Sequence, residues 1–461
     1  MVFPAKKVHL IGIGGTGMSG VARMLLCEGA AVSGSDMRDN PVFEVLRKMG
    51  AVVHVGHSPS NIPPDVDLVV ISAAVKPDNV ELVEAGRRRI EVIKYARALG
   101  LLMAGQEGVA VSGTHGKTTT TAMLAVILVA AGKDPSFVVG GHVPQLGASS
   151  AEGHNGIFVA EACEYDRSFL NLCPRIAIIN NIEEDHLDYY HDLAEIISAF
   201  REFASLLPPD GLLIVSAHDR NAVAVAESTS ARKETFGARI PADWRAENLS
   251  AAGGRYTFDV IHKGAALGTV HLGIPGVQNV LNALAAAAAA NALGVDFPVI
   301  ADALSKFQGA ARRFEVIGEA RGVTIIDDYG HHPTEIQVTL KAAREFFRAG
   351  RLWAVFQPHQ YSRTRFFLKD FARSFSQADK IIVPDIYFVR DSDQERATVN
   401  AGDLVRELVG LGYDAEYIPS WGAIVDRISA QAERGDVVLT LGAGNVNEVA
   451  YALLERLRSN P

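Results

Sequence analysis

Residues 108–118, GVAVSGTHGKT, place an apolar run directly before a glycine-rich turn that ends in Lys117 and Thr118. A helical pattern follows over 118–131, and a strand, a glycine loop and a helix in this order are the context that a phosphate-binding loop requires. The backbone N–H groups of such a loop cradle phosphates, the lysine reaches the β- and γ-phosphate oxygens, and the threonine hydroxyl binds Mg²⁺. The stretch therefore predicts a nucleoside-triphosphate site formed by Gly113, Thr114, His115, Gly116, Lys117, Thr118 and Thr119.

A second glycine loop lies near the start of the chain. Residues 7–11 form a short apolar run, and Gly12, Gly14 and Gly17 follow at the spacing of a dinucleotide fingerprint, with Asp36 after the next run. Glycines permit a tight turn and allow N–H groups to approach a diphosphate at a positive helix end. This loop fits a dinucleotide coenzyme, another diphosphate-bearing ligand or an empty turn. A chain with both loops points to an enzyme that joins ATP chemistry to a nucleotide-linked substrate, because a dehydrogenase would leave the second loop without a role.

Strand and helix patterns alternate along the whole chain, which predicts α/β domains built on parallel sheets. We expect a Rossmann-like domain over 1–103, a central P-loop ATPase-like α/β domain over 104–312 and a C-terminal Rossmann-like α/β domain over 313–461. Strands are predicted at 7–11, 31–34, 52–55, 67–72, 91–93, 108–112, 156–160, 175–180, 323–327, 351–356, 380–383 and 436–440, and helices at 18–27, 118–131, 192–206 and 276–292.

The composition limits the possible functions. A net charge of −9 over 461 residues argues against non-specific binding to nucleic acid or to an anionic membrane. Three scattered cysteines are too few for a disulfide framework or a zinc site. No apolar run reaches the roughly 18 residues of a membrane span, and the N-terminus has no secretory leader pattern. We therefore expect a soluble, cytoplasmic protein without membrane insertion, as a monomer or a weak homodimer.

Acidic side chains follow two further apolar runs. Glu161, Glu164 and Asp166 come after the run at 157–160, and the segment 180–188, NNIEEDHLD, follows the next one. The carboxyl ends of parallel strands meet at one edge of a sheet, so we expect these side chains to face the crevice of the phosphate loop. Each acid alone is more often a solvated loop charge. The two clusters together predict binding of a metal or of phosphate, because hard oxygen ligands suit Mg²⁺.

Histidines and arginines follow strands in the C-terminal third. Residues 327–335, DDYGHHPTE, and 357–365, QPHQYSRTR, each come after a predicted strand. Arg363 and Arg365 can grip a carboxylate in bidentate fashion, and the less favoured alternative is a surface loop with helix-capping histidines. Arg313, at the predicted domain boundary, can reach ATP when domains close, or it is a surface charge.

With these residues assembled, the chain resembles the Mur ligases of peptidoglycan synthesis. The similarity runs through HLIGIGGTGMSG, VVISAAVKPDN, GTHGKTTTT, NIEEDHLD, RRFE, DDYGHHPTEI, FQPHQYSRT and LTLGAGN. GIGGTGMSG and DDYGHHPTE resemble the alanine-adding member of the family, and they argue against the member that recycles a murein tripeptide. A dehydrogenase and a non-catalytic nucleotide-binding regulator remain as alternatives from other classes.

The resemblance implies three domains, for a UDP-sugar, for ATP, and for the amino acid together with ATP. It implies that ATP phosphorylates the lactyl carboxylate of UDP-N-acetylmuramate, that the amino group of L-alanine attacks the acyl phosphate, and that ADP and phosphate leave. ATP and Mg²⁺ are the implied cofactors. The reaction is physically sensible, because a carboxylate is a poor electrophile until one oxygen becomes a good leaving group.

The resemblance also implies roles for individual residues. The UDP diphosphate would contact Gly14, Gly15 and Gly17. The metal-binding positions would be Thr118, Glu161 and His186, with His186 at a second Mg²⁺. ATP would contact, besides the phosphate loop, Asn279, Asn282, Arg313 and Asp327. The incoming alanine would lie near His331, Arg363 and Arg365, and the implied catalytic residues are Lys117, Glu161, His186 and His331.

Three residues depart from the family pattern. The acidic motif is usually E-A-D-E-S-D, and here Cys163 and Tyr165 replace its first aspartate and its serine. The adenine motif usually begins G-x-H-N, and here Gln278 stands at the histidine position, where it can still donate and accept a hydrogen bond. We expect metal and ATP binding to be retained. Val111, where a longer phosphate loop has its first glycine, fits the Mur ligase form of the loop.

Overall fold

The computed structural model describes residue 3 and residues 5–347, 350–389 and 391–459. The chain divides into two compact units. The first unit comprises Met1–Ile182, Ile196–Trp244 and Leu284–Ala303, and the second comprises Glu183–Glu195, Arg245–Ala283 and Leu304–Pro461.

The strands, in chain order, are β1 Lys7–Ile11, β2 Ala31–Asp36, β3 Val52–Val55, β4 Leu68–Ile71, β5 Glu91–Lys94, β6 Glu107–Ser112, β7 Ser136–Val143, β8 Ala148–Ala151, β9 Ile157–Glu161, β10 Ile176–Ile179, β11 Leu212–Ser216, β12 Arg232–Ala238, β13 Trp244–Ala252, β14 Arg255–His262, β15 Ala265–Pro275, β16 Glu315–Ala320, β17 Val323–Asp328, β18 Leu352–Phe356, β19 Lys380–Val383, β20 Ala415–Tyr417 and β21 Val437–Leu441.

The α-helices are α1 Thr16–Cys27, α2 Val42–Lys48, α3 Val80–Arg87, α4 Tyr95–Met103, α5 Lys117–Ala130, α6 Leu193–Ala204, α7 Arg220–Ala226, α8 Val277–Ala292, α9 Phe297–Lys306, α10 Pro333–Phe347, α11 Tyr361–Phe366, α12 Leu368–Arg373, α13 Asp393–Arg396, α14 Ala401–Gly410, α15 Trp421–Gln431 and α16 Asn447–Ser459. Short 3₁₀ helices occupy Pro59–Asn61, Pro144–Leu146 and Tyr165–Asn171. None of the helices among the described residues combines the length and the apolar character that crossing a membrane requires.

The N-terminal sheet is a parallel sheet with the strand order β3-β2-β1-β4-β5. Its central strand β1 is buried from Val8 to Ile11, as expected for a strand with neighbours on both sides. The chain order reverses between β1 and β4. In open α/β sheets ligands bind outside the carboxyl ends of the strands at such a reversal, so the loop after β1 lies at the ligand edge.

The larger sheet of the first unit contains the strands β12-β11-β10-β6-β9-β7-β8. Neighbours from β12 to β7 run parallel, and β8 pairs antiparallel with β7. Strands β6, β9 and β10 lie side by side, so their carboxyl ends meet at one edge. The phosphate loop and the two acidic segments start from these three ends.

The C-terminal sheet, in the second unit, has the order β16-β17-β21-β18-β19-β20, parallel except for β16. Its strands alternate between two buried cores. Ile326 and Phe356 face one core, whereas Ile325 and Val355 face the other. This alternation follows from the two-residue period of a strand, and it shows that both faces of the sheet are covered by helices.

The structure confirms the predicted alternation of strands and helices. The predicted helix at 118–131 is α5, Lys117–Ala130, and the predicted helix at 192–206 is α6, Leu193–Ala204. Strands β7, β8, β11 to β16 and β20 were not predicted. Among them, β14 and β15 form an antiparallel pair of mixed polar and apolar residues, which has a weak pattern. The predicted domain boundaries near 103 and 312 stay predictions.

Candidate active site

The phosphate loop occupies the four residues between β6, which ends at Ser112, and α5, which begins at Lys117. Gly113 has φ +130°, and a Cβ there would lie 3.0 Å from both the Cβ and the backbone nitrogen of Asn180. Gly116 has φ +79° and forms the N-cap of α5. Both positions need glycine, because other residues adopt this backbone region only with strain. The turn is therefore built for close approach of a ligand to the backbone.

The loop is held against the residues that follow β10. The backbone nitrogens of Thr114 and His115 donate to Asn181, to its carbonyl oxygen at 3.0 Å and to its Oδ1 at 2.7 Å. Asn180 donates through Nδ2 to Thr120 Oγ1 at 3.1 Å. The Oδ1 atom of Asn180 is buried and accepts no hydrogen bond from any residue that the structure describes. A buried oxygen of this kind needs a donor or a cation, so Asn180 joins the candidate site.

Lys117 lies folded over the loop. Its Nζ atom donates to the carbonyl oxygens of Gly113 at 2.6 Å and Thr114 at 3.1 Å, and it pairs with the carboxylate of Glu164 at 3.0 Å. The Glu164 side chain is only 3% exposed. Burial strengthens this ion pair and holds the ammonium group at the loop. Lys117 is thus in place to bind phosphate oxygens.

The residues that would hold Mg²⁺ lie beside the start of α5. Thr118 Oγ1 donates to Glu161 Oε2 at 3.3 Å, and the backbone nitrogen of Gly140 donates to Glu161 Oε1 at 2.5 Å. A hydroxyl and a carboxylate are the hard oxygen ligands that Mg²⁺ prefers. With the buried Oδ1 of Asn180, these donors fit a site for Mg²⁺ and phosphate.

The unusual residue of the acidic segment, Cys163, carries no charge at neutral pH. Its side chain is exposed at the surface, but protein atoms surround it and displace much of the water that would solvate a thiolate. This desolvation, together with the nearby carboxylate of Glu164, raises the pKa of the Cys163 thiol to about 12. The negative charge of this segment therefore comes from Glu161, Glu164 and Asp166, and Asp166 pairs with Lys94 at 2.5 Å.

The first glycine loop joins β1 to α1, as predicted. The backbone nitrogen of Gly14 donates to Asp36 Oδ2 at 3.0 Å, and the backbone nitrogen of Met37 donates to Asp36 Oδ1 at 2.7 Å. A Cβ at Gly15 would meet only ordinary contacts, whereas a Cβ at Gly17 would lie 2.6 Å from the ring and hydroxyl of Tyr95. The three glycines thus have different surroundings: Gly14 is bonded to Asp36, Gly15 has free space for ordinary contacts, and Gly17 packs against Tyr95. Contact of Gly14, Gly15 and Gly17 with a diphosphate stays a prediction.

In the second unit, a buried ion pair joins two sequence motifs. Arg363 Nη2 donates to Asp185 Oδ1 at 2.5 Å, and both side chains are buried. Burial alone raises the pKa of Asp185, but the charges of His186 and Arg363 outweigh it and hold that pKa well below its usual value. The sequence did not single out Asp185. Arg363 is therefore already paired with a carboxylate of its own chain.

His186, the predicted metal ligand, has a backbone φ of +54°. The backbone nitrogen of His186 donates to Asp185 Oδ1 at 2.6 Å, and its carbonyl oxygen accepts from the backbone nitrogens of Tyr189 and Tyr190. A positive φ in a residue other than glycine is costly, and such positions cluster at functional sites. The hydrogen bonds to Asp185, Tyr189 and Tyr190 therefore hold the backbone of His186 in this conformation.

The two histidines of DDYGHHPTE are both held by hydrogen bonds. Burial lowers the pKa of His331 to about 4, so its ring is neutral at pH 7. The Nδ1 atom of His331 lies 3.1 Å from the carbonyl oxygen of Tyr329. Because a carbonyl oxygen only accepts, Nδ1 is the donor, and Nε2 of the neutral ring is left as an acceptor. His332 Nε2 donates to the carbonyl oxygen of Glu184 at 3.1 Å. This motif is thus tied to NIEEDHLD within the second unit.

A small pocket, open to solvent, lies beside these residues in the second unit. Its lining includes His186, Asp188, Ser362, Arg365 and Glu395. Three predicted site residues, His186, Arg363 and Arg365, thus share one cavity. Because Arg363 is paired with Asp185, Arg365 is the better placed of the two arginines to bind a ligand carboxylate.

The residues that the resemblance assigned to ATP in the second unit are all partly or fully buried. Asp327 has no exposed surface, and its carboxylate accepts from Arg312 Nε at 2.9 Å and from Thr440 Oγ1 at 2.6 Å. The guanidinium of Arg313 lies 4.9 Å from the centre of the Tyr329 ring. The roles of Asp327 and Arg313 in binding ATP stay predictions.

Asn279 and Asn282 lie one turn apart on α8. Both are buried, and Asn282 Nδ2 donates to Asn279 Oδ1 at 3.0 Å. Asn279 Nδ2 donates to the carbonyl oxygen of Pro275 at 2.6 Å. These bonds fix both amides at the start of the helix, and their predicted contact with adenine is not tested by them.

Comparison with known proteins agrees with this arrangement. Three family profiles match successive parts of the chain: "Mur ligase family, catalytic domain" at residues 7–107, "Mur ligase middle domain" at 111–290, and "Mur ligase, glutamate ligase domain" at 312–444. The UDP-N-acetylmuramate–L-alanine ligase of Caldanaerobacter subterraneus subsp. tengcongensis is 43% identical over 98% of this chain and 97% of its own. The corresponding ligase of Aquifex aeolicus is 42% identical over 98% of both chains.

Two solved structures are similar over nearly the full length. The UDP-N-acetylmuramate–alanine ligase of Thermotoga maritima superposes with a TM-score of 0.82 at 31% identity, covering 99% of this chain and 100% of that one. A murein peptide ligase of Psychrobacter arcticus gives a TM-score of 0.73 at 28% identity, covering 99% of both chains.

The fold and the phosphate loop define an α/β ligase with three domains, which confirms the predicted class and architecture. The chain belongs to the Mur ligase family.

Proposed function

We propose that this chain uses ATP and Mg²⁺ to join L-alanine to the lactyl carboxylate of UDP-N-acetylmuramate, in the synthesis of peptidoglycan precursors. One observation carries the proposal: a phosphate loop on which Lys117 is folded, and beside which Thr118 donates to Glu161, lies in a chain that is 43% identical to a ligase of this name over nearly its whole length. We place the reaction in the cytoplasm, where ATP is made.

The first step transfers the γ-phosphoryl group to the lactyl carboxylate. A carboxylate oxygen forms a bond to phosphorus while the bond to the β–γ bridging oxygen breaks, so ADP leaves and an acyl phosphate remains. Lys117 and the loop N–H groups bind and orient the phosphates. Thr118 and Glu161 would hold Mg²⁺, which when bound neutralises the charge that builds up on the phosphate oxygens.

The second step forms the amide. The amino nitrogen of L-alanine attacks the acyl carbon, the carbon–oxygen bond breaks, and phosphate leaves and takes up the amine proton. Arg365 offers a guanidinium to the alanine carboxylate, and the accepting Nε2 of neutral His331 suits the amino group. His186, Arg363 and Asp185 fix the segments that carry these residues.

The test is release of phosphate from ATP, measured with UDP-N-acetylmuramate and, in separate reactions, L-alanine, glycine, L-serine and the tripeptide L-Ala-γ-D-Glu-meso-diaminopimelate. We expect release and a ligated product with L-alanine above the other amino acids. Release with the tripeptide alone would overturn the proposal. Binding of ATP without release in any combination would favour a regulator, and micromolar binding of NADH would favour a dehydrogenase.

The tripeptide ligase is the second candidate, supported by the similarity to the Psychrobacter arcticus structure. That likeness is lower than the likeness to the alanine ligase of Thermotoga maritima, in TM-score and in identity. We therefore prefer L-alanine. A monomer or weak homodimer remains our expectation for the oligomeric state, to be measured by sedimentation.

A further inference from the structure

Tyr95 has no part in the sequence predictions, yet it lies at the ligand edge of the N-terminal sheet. It is the first residue of α4 and directly follows β5, which ends at Lys94. The first glycine loop follows the carboxyl end of β1, two strands away in the same parallel sheet. Residues that follow the carboxyl ends of parallel strands face the same crevice.

The ring of Tyr95 lies against the first glycine loop. A Cβ at Gly17 would be 2.6 Å from both Cζ and the hydroxyl oxygen of Tyr95. Gly17 has a φ outside the left-handed region, so its backbone does not require glycine. The glycine at this position therefore makes room for the tyrosine, whose hydroxyl is held at the turn.

The same side chain faces the acidic segment of the phosphate-loop site. Burial is the largest cause that raises the pKa of the Tyr95 phenol, and the negative charge of Glu161 raises it further. The phenol is therefore a neutral donor at physiological pH.

Two further contacts fix α4 against this segment. Lys94 pairs with Asp166 at 2.5 Å, and a Cβ at Gly100 would collide with the carbonyl oxygen of Asn171 at 1.9 Å. The start and the middle of α4 are thus both packed on the residues that follow β9. Tyr95, the first glycine loop, Thr118 and Glu161 all belong to one compact unit.

The Tyr95 hydroxyl makes no hydrogen bond within the part of the chain that the structure describes, and the residue is only half-buried. A half-buried tyrosine packs its apolar ring on the protein and presents a polar hydroxyl that can bind a ligand. This one is therefore a donor that remains available at the ligand edge.

We propose that the Tyr95 hydroxyl donates a hydrogen bond to the lactyl carboxylate of the UDP-sugar and positions it for phosphoryl transfer. The inference rests on the proposed function and adds a substrate-positioning residue to it. The diphosphate binds at the first glycine loop and the γ-phosphate at the second, so the carboxylate has to lie between them, where Tyr95 is. The carboxylates of Glu161 and Glu164 repel another anion there, and a neutral donor offsets that repulsion without neutralising the metal ligands.

The experiment compares binding of two nucleotides by calorimetry, UDP-N-acetylmuramate and UDP-N-acetylglucosamine, which lacks the lactyl carboxylate. We expect Tyr95→Phe to weaken binding of UDP-N-acetylmuramate about 10-fold, equivalent to about 1.4 kcal/mol, and to leave binding of UDP-N-acetylglucosamine unchanged. In the ligase assay the KM for UDP-N-acetylmuramate should rise by a similar factor, with the KM for ATP unchanged. Tyr451→Phe, an exposed tyrosine on α16, is the matched control.

Equal weakening of both nucleotides would overturn the inference, because it would mean that Tyr95 acts only by packing on Gly17. An unchanged affinity for both would overturn it as well. A wild-type protein that binds UDP-N-acetylmuramate but releases no phosphate with L-alanine would refute the proposed function, while the binding comparison would still decide the role of Tyr95. Thermal melting of Tyr95→Phe within about 2 °C of wild type shows that the fold is kept.

Discussion

The two glycine loops of the first unit share one design, a strand, a tight turn and a helix, but their surroundings differ. In the first loop, the nitrogen of Gly14 is already bonded to the carboxylate of Asp36, and no lysine stands at the start of α1. In the second loop, Lys117 begins α5 and lies over the turn. The first loop thus has an anion at its turn, and the second has a cation.

This difference shows what the glycine spacing does and does not specify. In both loops it provides a turn that lets backbone approach a phosphate. The strength and the type of ligand then depend on the side chains that the fold brings to each turn. We expect Lys117 to bind a triphosphate, which develops charge during transfer, and we expect the backbone and the helix end of the first loop to hold a diphosphate that serves only as an anchor.

The largest expected effect comes from removing the cation of the second loop. Lys117→Ala should lower the turnover number roughly 1,000-fold, because Lys117 is the charged donor at the loop. The measurement is ADP release at saturating substrates. Lys48→Ala, an exposed lysine at the end of α2, is the control. A turnover number of Lys117→Ala close to the wild-type value would contradict the functional role given to the cation of the second loop.

A glycine substitution in each loop compares how rigidly the turns are built. Gly113→Ala should destabilise the protein by about 3 kcal/mol, because φ is +130° and the new Cβ would meet the backbone of Asn180. Gly12→Ala should cost about 1–2 kcal/mol, since its closest neighbour is the hydroxyl of Ser72, which can rotate away. Urea unfolding measures both. A larger loss for Gly12→Ala would contradict this order.

Within the first loop, two neighbouring glycines separate packing from ligand contact. Gly17→Ala should destabilise the fold by about 2 kcal/mol through its clash with Tyr95, and the change to Tyr95→Ala in the same chain should recover part of that loss. Gly15→Ala should keep the wild-type melting temperature, since its Cβ would make only ordinary contacts, but it should weaken UDP-N-acetylmuramate binding about 5-fold by adding a methyl group to the turn. Unchanged binding by Gly15→Ala would argue against diphosphate contact there.

The smallest expected effect concerns the anion of the first loop. Asp36→Asn keeps an oxygen that can accept from the nitrogen of Gly14 but removes the charge. Binding of UDP-N-acetylmuramate should become about 2- to 3-fold tighter at low salt, and the gain should shrink at about 1 M salt, because partly exposed charges are screened. Weaker binding would instead show that Asp36 itself contacts the ligand.

Much of the fold and part of the site followed from the sequence. The helix of the phosphate loop was predicted to within one residue, since a run of apolar residues after a glycine turn is a local pattern. Thr118 and Glu161 were predicted as neighbours, and they are bonded at 3.3 Å. Asn180 was missed as an individual residue, because only the burial of its oxygen beside the loop marks it.

The sequence by itself determined the order of motifs, the α/β class and the position of both glycine loops, because strand and helix periods and turn residues act over a few positions. The tertiary structure decided which side chain meets which turn. Tyr95 at Gly17, Asp36 at Gly14 and Arg363 at Asp185 are contacts between residues far apart in the chain. Such contacts depend on how the sheets and helices pack, and no local pattern encodes that packing.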